Sequence, residues 1–472
     1  MEKDLLRNLP SVDEILNNLE AAPLTEEYGR DALVNAARTV LSELRSELLK
    51  DDARTTAEEI SVENISRRIA AYLEKKSTPS LRRAVNAAGV ILHTGLGRAV
   101  LPSKAIDAIN DVIKGCCTLA TDIETGQRGH RDVHLNDLLC ELTGAEAATV
   151  VNNNAAATMI ILNTLAKGKE VIVSRGQLVE IGGSFRMPEV MEASGAILRE
   201  VGTTNKTHLR DYAAAINENT GAIMRVHQSN YRIVGFAEEP PIEELVELGK
   251  KHGLPVIDDL GSGALIDLKQ FGLETEPMVQ DSIKAGVDVA CFSGDKLIGG
   301  PQAGVVVGKA QVIERIRKNP LARAFRIGKM TIAGMEATLR LFLNREKLCQ
   351  EHPTYQMLSL DLEGLEERAQ RIAGSLRDSI ANETDIGVVD GVSQVGSGSV
   401  PTETVPTKLL CVRPTSLSAA ELARKLRSND PPIFARVHKE SVLFDFRTIQ
   451  PDEDALIEDA LKKSLKEVEN QP

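Results

Sequence analysis

Two kinds of apolar pattern divide the chain. From Glu26 to Lys50 the positions Leu33, Ala37, Val40, Leu41, Leu44 and Leu48 follow helical spacing, which lines them up on one face. Ile65, Ile69 and Leu73 mark a second helix. Asp51 to Thr56 reads as a polar connection, and Ser77-Thr78-Pro79-Ser80 as a turn-like boundary. Residues 1–80 are therefore expected to form a small helical domain. From about Val85 short β-branched runs replace the long helical period. Strands are expected at Val90–His93, Ala148–Val151, Val171–Ser174, Ile197–Val201, Ala222–Val226, Pro255–Leu260, Val287–Phe292 and Ala303–Val307. Helical patterns such as Asn136–Leu142, Ala155–Ala166 and Ile242–His252 lie between most of them. Such alternation predicts an α/β domain over 81–335, with a mainly parallel sheet covered by helices on both faces. Ligands of such sheets gather at the C-terminal strand ends.

After about Met330 the pattern turns helical again, over Met335–Leu343 and Leu362–Ser379. Strands at Lys408–Val412 and Val442–Phe446 then alternate with helices at Ala419–Arg427 and Glu453–Val468. A smaller α+β domain over 336–472 is the expectation. The length of 472 residues suits such a division, at roughly 100–200 residues per domain.

Composition narrows the class. Hydrophobic residues make up 42% and charged residues 26%, ordinary for a globular chain and incompatible with a disordered one. No run of about 18 apolar residues suggests a membrane span. The mixed-charge N-terminus, MEKDLLRNLPSVDEILNNLE, does not read as a signal peptide, so a cytoplasmic location is expected. Cys116, Cys117, Cys140, Cys291, Cys349 and Cys411 form no CxxC pair and fit no zinc spacing. Reduced, mostly buried thiols are expected. The net charge of −12, the absence of Trp and an aromatic content of 3% argue against a general nucleic-acid binder with stacking platforms. Any such contact needs a local basic stripe.

The stretch CFSGDKLIGGPQAG, Cys291–Gly304, puts Lys296 among small residues after an apolar strand. A lysine desolvated there would have the lowered pKa that a Schiff-base amine requires. LPVIDDLGSGALID, Leu254–Asp267, is a strand ending in two acids, and Asp259 stands 37 residues before Lys296. Pyridoxal-phosphate enzymes of the aspartate-aminotransferase type place an Asp for the pyridinium nitrogen and the Schiff-base lysine at about this interval. A protonated ring nitrogen makes the ring an electron sink. Asp258 competes for that role and would point to the other face of an extended strand. In VVNNNAAATMI, Val150–Ile160, a strand runs into the start of a helix. Asn153, Asn154, Ala155 and Ala156 could cradle a phosphate there, with Ser293 as an added donor. Arg98, in HTGLGRAVL, and Arg323 and Arg326, in NPLARAFRIGK, are candidates for binding an oxyanion. Glu124–His134 adds Arg128, His130, Arg131 and His134 in a glycine-rich stretch. The histidine pair lacks a nearby third ligand, so no metal is expected; a loop feeding an active site, even a neighbouring subunit's, fits better.

The blocks NAAGVILHTGLGRA, GQRGHRD, VVNNNAAA, VSRGQLVEIGGSFRMP, VGTTNKTH, DLGSG, FSGDKLIGGPQAG and NPLARAFRIGKMT carry a resemblance that runs through almost the whole chain. It resembles the bacterial L-seryl-tRNA(Sec) selenium transferases, or selenocysteine synthases. Gly95 departs from the Asn that the family commonly has. The resemblance implies a fold-type-I pyridoxal-phosphate transferase. Such an enzyme converts L-seryl-tRNA(Sec) to L-selenocysteinyl-tRNA(Sec) with selenophosphate, through a pyridoxal-phosphate aldimine and an aminoacrylyl intermediate. It implies that Lys296 is the cofactor's lysine and that Arg98, Arg323 and Arg326 line the selenium-donor site. It places Thr203, Thr204, Arg131 and Asp295 at or near the active site. It further implies a tRNA-reading N-terminal domain and active sites formed between subunits of a ring of dimers. Within residues 1–80, Arg30, Arg38, Arg45, Arg67, Arg68, Lys75 and Lys76 are candidate phosphate contacts. Two rival classes remain: a small-molecule lyase of the same superfamily, and a non-catalytic tRNA binder.

Overall fold

The computed structural model describes residues 6–17, 21–49, 56, 58–183, 185–274, 276–380, 384–396 and 398–469. It divides into two compact units, Met1–Arg83 and Ala84–Pro472. In the first, helices Val12–Leu16, Ala21–Tyr28, Arg30–Leu48 and Val62–Ser77 enclose a core. That core holds Ile15, Leu33, Ala37, Val40, Leu41, Leu44, Ile65, Ile69 and Leu73. The helical period is thus the packing face. Gly29, at φ 83°, interrupts the pattern and starts the long helix at Arg30. Of the polar connection expected at Asp51–Thr56, all but Thr56 lies outside the described residues.

The second unit carries a seven-stranded sheet. We number the strands along the chain: β1 (Val85–Ala87), β2 (Ala147–Val151), β3 (Glu170–Ser174), β4 (Glu180–Ile181), β5 (Phe185–Arg186), β6 (Ile197–Val201), β7 (Thr220–Val226), β8 (Val256–Gly261), β9 (Val289–Ser293) and β10 (Gly304–Gly308). The sheet order is β2-β10-β9-β8-β7-β3-β6. Only β10 runs antiparallel to its neighbours; the rest are parallel. Strands β2, β9 and β10 are buried along their whole length. Two separate apolar clusters form, with Val256 and Leu260 of β8 in one and Ile257 in the other. An alternating strand that feeds both clusters is what a sheet covered on both faces demands.

Val90–His93 is not a strand. Val90 makes one isolated bridge to Gln394, and the chain turns into a 3-10 helix at Thr94–Leu96. Its apolar run is explained by burial: Ile91 and Leu92 are at most 2% exposed. The expectation of mostly buried thiols also fails. All six cysteines are free, but only Cys291 is fully buried, while Cys116 and Cys117 are exposed in the stretch after helix Ser103–Ile113.

A five-stranded sheet, ordered β1-β13-β14-β12-β11, comprises β1 together with β11 (Thr384–Gly396), β12 (Ser399–Pro414), β13 (Ile433–His438) and β14 (Ser441–Asp445). Helices Leu362–Ser379, Ala419–Arg427 and Asp454–Glu469 share a core with this sheet. β1 pairs in parallel with β13, so residues just after the helical unit are built into the C-terminal sheet. No helix among the described residues is long and apolar enough to cross a membrane.

Candidate active site

The carboxyl ends of β2, β7, β8 and β9 border a cavity of about 250 Å³, where a parallel sheet places its ligands. Lys296, Asp259, Asn154, Ser293, Arg98 and Asp295 line it. The strand period separates the two acids of β8. Asp258 is fully buried away from the cavity, where Arg225 grips it with two hydrogen bonds of 2.8 and 2.6 Å and Ser282 donates a third at 2.6 Å. Asp259 faces helix Asn154–Ala166. It accepts from Asn154 Nδ2 and Thr158 Oγ1, each at 2.8 Å, and from the Gly261 amide at 3.1 Å. Burial pushes the Asp259 carboxyl up, against those three donors and the Lys296 charge.

Helix Asn154–Ala166 begins at an Asn153 cap whose side chain accepts from the Ala156 amide at 2.9 Å. The Ala156 N–H is thereby engaged. The amides of Asn154 and Ala155, both lining the cavity, are among the donors that a helix start leaves open. Asn154 Oδ1 is buried with no partner, an acceptor left open beside the cavity.

Lys296 is 5% exposed. Burial and then the Arg98 charge push its ammonium down from 10.5, while Asp259, Asp295 and Glu276 pull the other way. The lowering is what an amine nucleophile needs. The turn that carries it is clamped from below. Tyr355 donates its hydroxyl to the Leu297 carbonyl and His352 Nε2 donates to the Ile298 carbonyl, both at 2.8 Å. A carbonyl accepts only, so Nε2 carries the proton. Burial holds His352 at about 4, hence neutral. Gly299 closes the turn at φ 68°, and a Cβ there would collide with the His352 ring. Gly398, in the β11–β12 hairpin, has Lys296 Nζ only 3.6 Å from where its Cβ would stand.

Arg98 has a left-handed backbone, φ 64°, which costs a non-glycine residue about 1–3 kcal/mol. Its Nη1 donates to Asp295 Oδ2 at 2.7 Å. The pair, with Gln302, also borders a second opening of about 430 Å³, so it stands as a partition between the two.

Arg131, Arg323 and Arg326 are elsewhere. With Arg128 and Arg317 they line another cavity, of about 450 Å³, that shares no residue with the Lys296 cavity. Arg317 is held by Asp132 at 3.1 Å. Burial, followed by the charges of Arg326, Arg128 and Arg323, pushes Arg131 down, and its Nε is buried without a partner. Crowded cations of this kind suit an anion. Thr203 and Thr204 are exposed on the turn after β6 and border neither cavity.

Several lining residues escaped the sequence reading. Thr158 stands four residues after Asn154, so helical spacing could have found it. His227 and Ser229 follow β7 and Gln302 follows the lysine turn; nothing local marks them as cavity residues. The buried Glu276 and the hairpin glycine Gly398 come from loops that only the tertiary fold brings near.

The chain is similar to known proteins over almost its whole length. A family model described as L-seryl-tRNA selenium transferase matches residues 84–450, and one described as selenocysteine synthase N terminal matches residues 6–45. The chain is 48% identical to the L-seryl-tRNA(Sec) selenium transferase of Alkaliphilus metalliredigens, covering 98% of this chain and 99% of that protein. It is 47% identical, with the same coverage, to that of Nitratidesulfovibrio vulgaris. Among solved structures, a D-glucosaminate-6-phosphate ammonia-lyase aligns with a TM-score of 0.57 at 20% identity, over 85% of this chain and 99% of that one. The lyase likeness extends to the fold. With matches that span both units at this identity, the chain belongs to the L-seryl-tRNA selenium transferase family.

Proposed function

We propose that the protein converts L-seryl-tRNA(Sec) to L-selenocysteinyl-tRNA(Sec), with selenophosphate as donor and pyridoxal 5'-phosphate as cofactor. The observation that carries this reading is a buried, destabilised Lys296 ammonium sharing one cavity with Asp259, in a chain of this family. The residues fit the cofactor. They offer an amine for its aldehyde, a carboxylate for its ring nitrogen, and the Asn154 and Ala155 amides with Ser293 for its phosphate. The open Asn154 Oδ1 gives a bound group a further partner.

When bound, pyridoxal phosphate supplies an imine-forming aldehyde and an electron sink. Asp259, fixed by Asn154 and Thr158, holds a proton at the ring nitrogen. Lys296, once its amine is free and uncharged, takes the proton from the seryl Cα. Asp295 and Arg98 border the same space and orient the polar end of the substrate. The Arg131–Arg323–Arg326 cavity holds the donor's phosphate. Because it shares no residue with the Lys296 cavity of its own chain, we place the complete site between copies in a ring of dimers, with Thr203 and Thr204 near it. Residues 1–80 read the tRNA. Arg67 and Arg68 are paired there with Glu63 and Glu47, while Arg30, Arg38, Arg45 and Lys75 are exposed and suited to phosphates. A cytoplasmic location follows from this substrate.

The test is turnover of seryl-tRNA(Sec) with labelled selenophosphate. Selenium bound to the aminoacyl group of the tRNA is expected. Release of ammonia from a small amino acid, with no selenium transferred, would instead make the protein a lyase.

A further inference from the structure

The elimination has an unassigned acid. Hydroxide leaves poorly, so the seryl oxygen needs a proton as its carbon bond breaks. Three carboxyl or imidazole side chains line the cavity: Asp295, Asp259 and His227. Asp295 is tied to Arg98 at 2.7 Å. Asp259 lies under three donors of its own.

His227 remains. It follows β7, its amide donates to the Asp259 carbonyl at 2.8 Å, and the residue lines the cavity beside Lys296. Its Nε2 stands 3.7 Å from Glu276 Oε2, within ion-pair range and beyond a hydrogen bond. The Glu276 side chain is 1% exposed. Ser262 Oγ donates to one of its oxygens, and the Val400 amide donates to the other at 3.3 Å. A carboxylate so buried is costly without a counter-charge. Among the described residues His227 is the basic side chain within ion-pair range of it. Glu276 thus has what a backing carboxylate needs: it is fixed by a hydroxyl and an amide, and it offers an imidazolium a counter-ion.

We propose that His227, backed by Glu276, is the acid that protonates the departing serine oxygen; this rests on the functional reading above. In the step, Lys296 takes the Cα proton and the C–H electron pair becomes the Cα–Cβ double bond. The Cβ–O pair goes to oxygen, which takes the His227 proton and leaves as water. Atoms and electrons balance without an oxidant. His227 is the catalytic residue here and Glu276 the positioning one.

The experiment compares two leaving groups on one tRNA: serine, whose oxygen needs a proton, and 3-chloroalanine, whose chloride does not. In His227→Gln, elimination from the seryl substrate is expected to slow about 10²–10⁴-fold, with the chloroalanyl substrate within about threefold of wild type. Cofactor affinity, read by absorbance titration of the apoprotein, should stay within a few-fold. Glu276→Gln should show the same leaving-group dependence at smaller size, and it decides the matter if His227→Gln does not fold. Equal slowing of both substrates, slowing of neither, or loss of cofactor affinity would overturn the proposal; the last would make His227 a cofactor ligand. A wild-type enzyme that releases no water from seryl-tRNA would overturn the functional reading itself, and the proposal with it.

Discussion

The neighbouring acids of β8 give the sharpest separation of architecture from chemistry. Asp258→Asn removes the charge facing Arg225 but keeps the side-chain shape. Asp258 is fully buried and Arg225 is 21% exposed. Breaking a buried pair by removing one partner costs about 3–5 kcal/mol. Because Arg225 reaches some water, the lower end applies, about 3 kcal/mol. At about 2 °C per kcal/mol for a large unit, the apoprotein should melt about 6 °C lower. Asp259→Asn should behave in the opposite way. It disturbs hydrogen bonds from Asn154, Thr158 and Gly261 worth about 1 kcal/mol each, but it also removes a carboxylate that burial penalises. Its melting point should stay near wild type while turnover falls about 10²–10³-fold, the range for a lost electrostatic partner in a reaction site. The pH dependence gives a second sign. The folded protein holds the Asp259 proton more tightly than the unfolded chain, whose value is near 3.8. Wild-type apoprotein therefore loses this stability as pH rises above 3.8 through the raised folded value, whereas Asp259→Asn does not. Calorimetry of both apoproteins across that range, with turnover of the loaded enzymes, decides the matter. A stable, inactive Asp258→Asn beside an unstable, active Asp259→Asn would refute the assignment.

Other perturbations reach the remaining parts. Arg323→Ala should raise the selenophosphate concentration needed for half-maximal rate roughly 10- to 100-fold, from the ~1.5–3 kcal/mol of a charge-assisted hydrogen bond, without changing cofactor loading; equal loss of both would mark a structural arginine. Removing residues 1–83, a separate compact unit, should abolish salt-sensitive tRNA binding and leave cofactor uptake intact, and unchanged tRNA affinity by gel shift would assign the helices another task. Gly299→Ala should strain the turn by about 1–3 kcal/mol and reduce cofactor loading more than it lowers the melting point, whereas a fall in melting point alone would count against the His352–Tyr355 clamp.

What could be read from the letters follows the physics of each signal. Helices Ile242–His252, Leu362–Ser379 and Ala419–Arg427 appear at their expected bounds because one apolar face against polar flanks is a local property. Fully buried strands such as β2 and β10 announce themselves as β-branched runs. The same rule misread Val90–His93, where apolar residues are buried without a ladder. It passed over β11 and most of β12, in which Gly391, Gly396, Pro401 and Pro406 break any apolar run. That Lys296 and Asp259 share one cavity could be expected from the letters, because both stand at strand ends next to glycine turns. The distinction between Asp258 and Asp259 could not, since it depends on Arg225 and Ser282 on one side and Asn154 and Thr158 on the other. The separation of Arg98 from Arg323 and Arg326 into different cavities was equally hidden, because partners about 200 residues away decide it.

The proposed chemistry depends first on the Lys296 amine carrying the cofactor. Borohydride reduction of the loaded enzyme, followed by peptide mass mapping, reads that bond directly. A reduced pyridoxyl group is expected on the peptide bearing Lys296 and none on Lys296→Ala. The group on any other lysine, or full activity from Lys296→Ala, would contradict it.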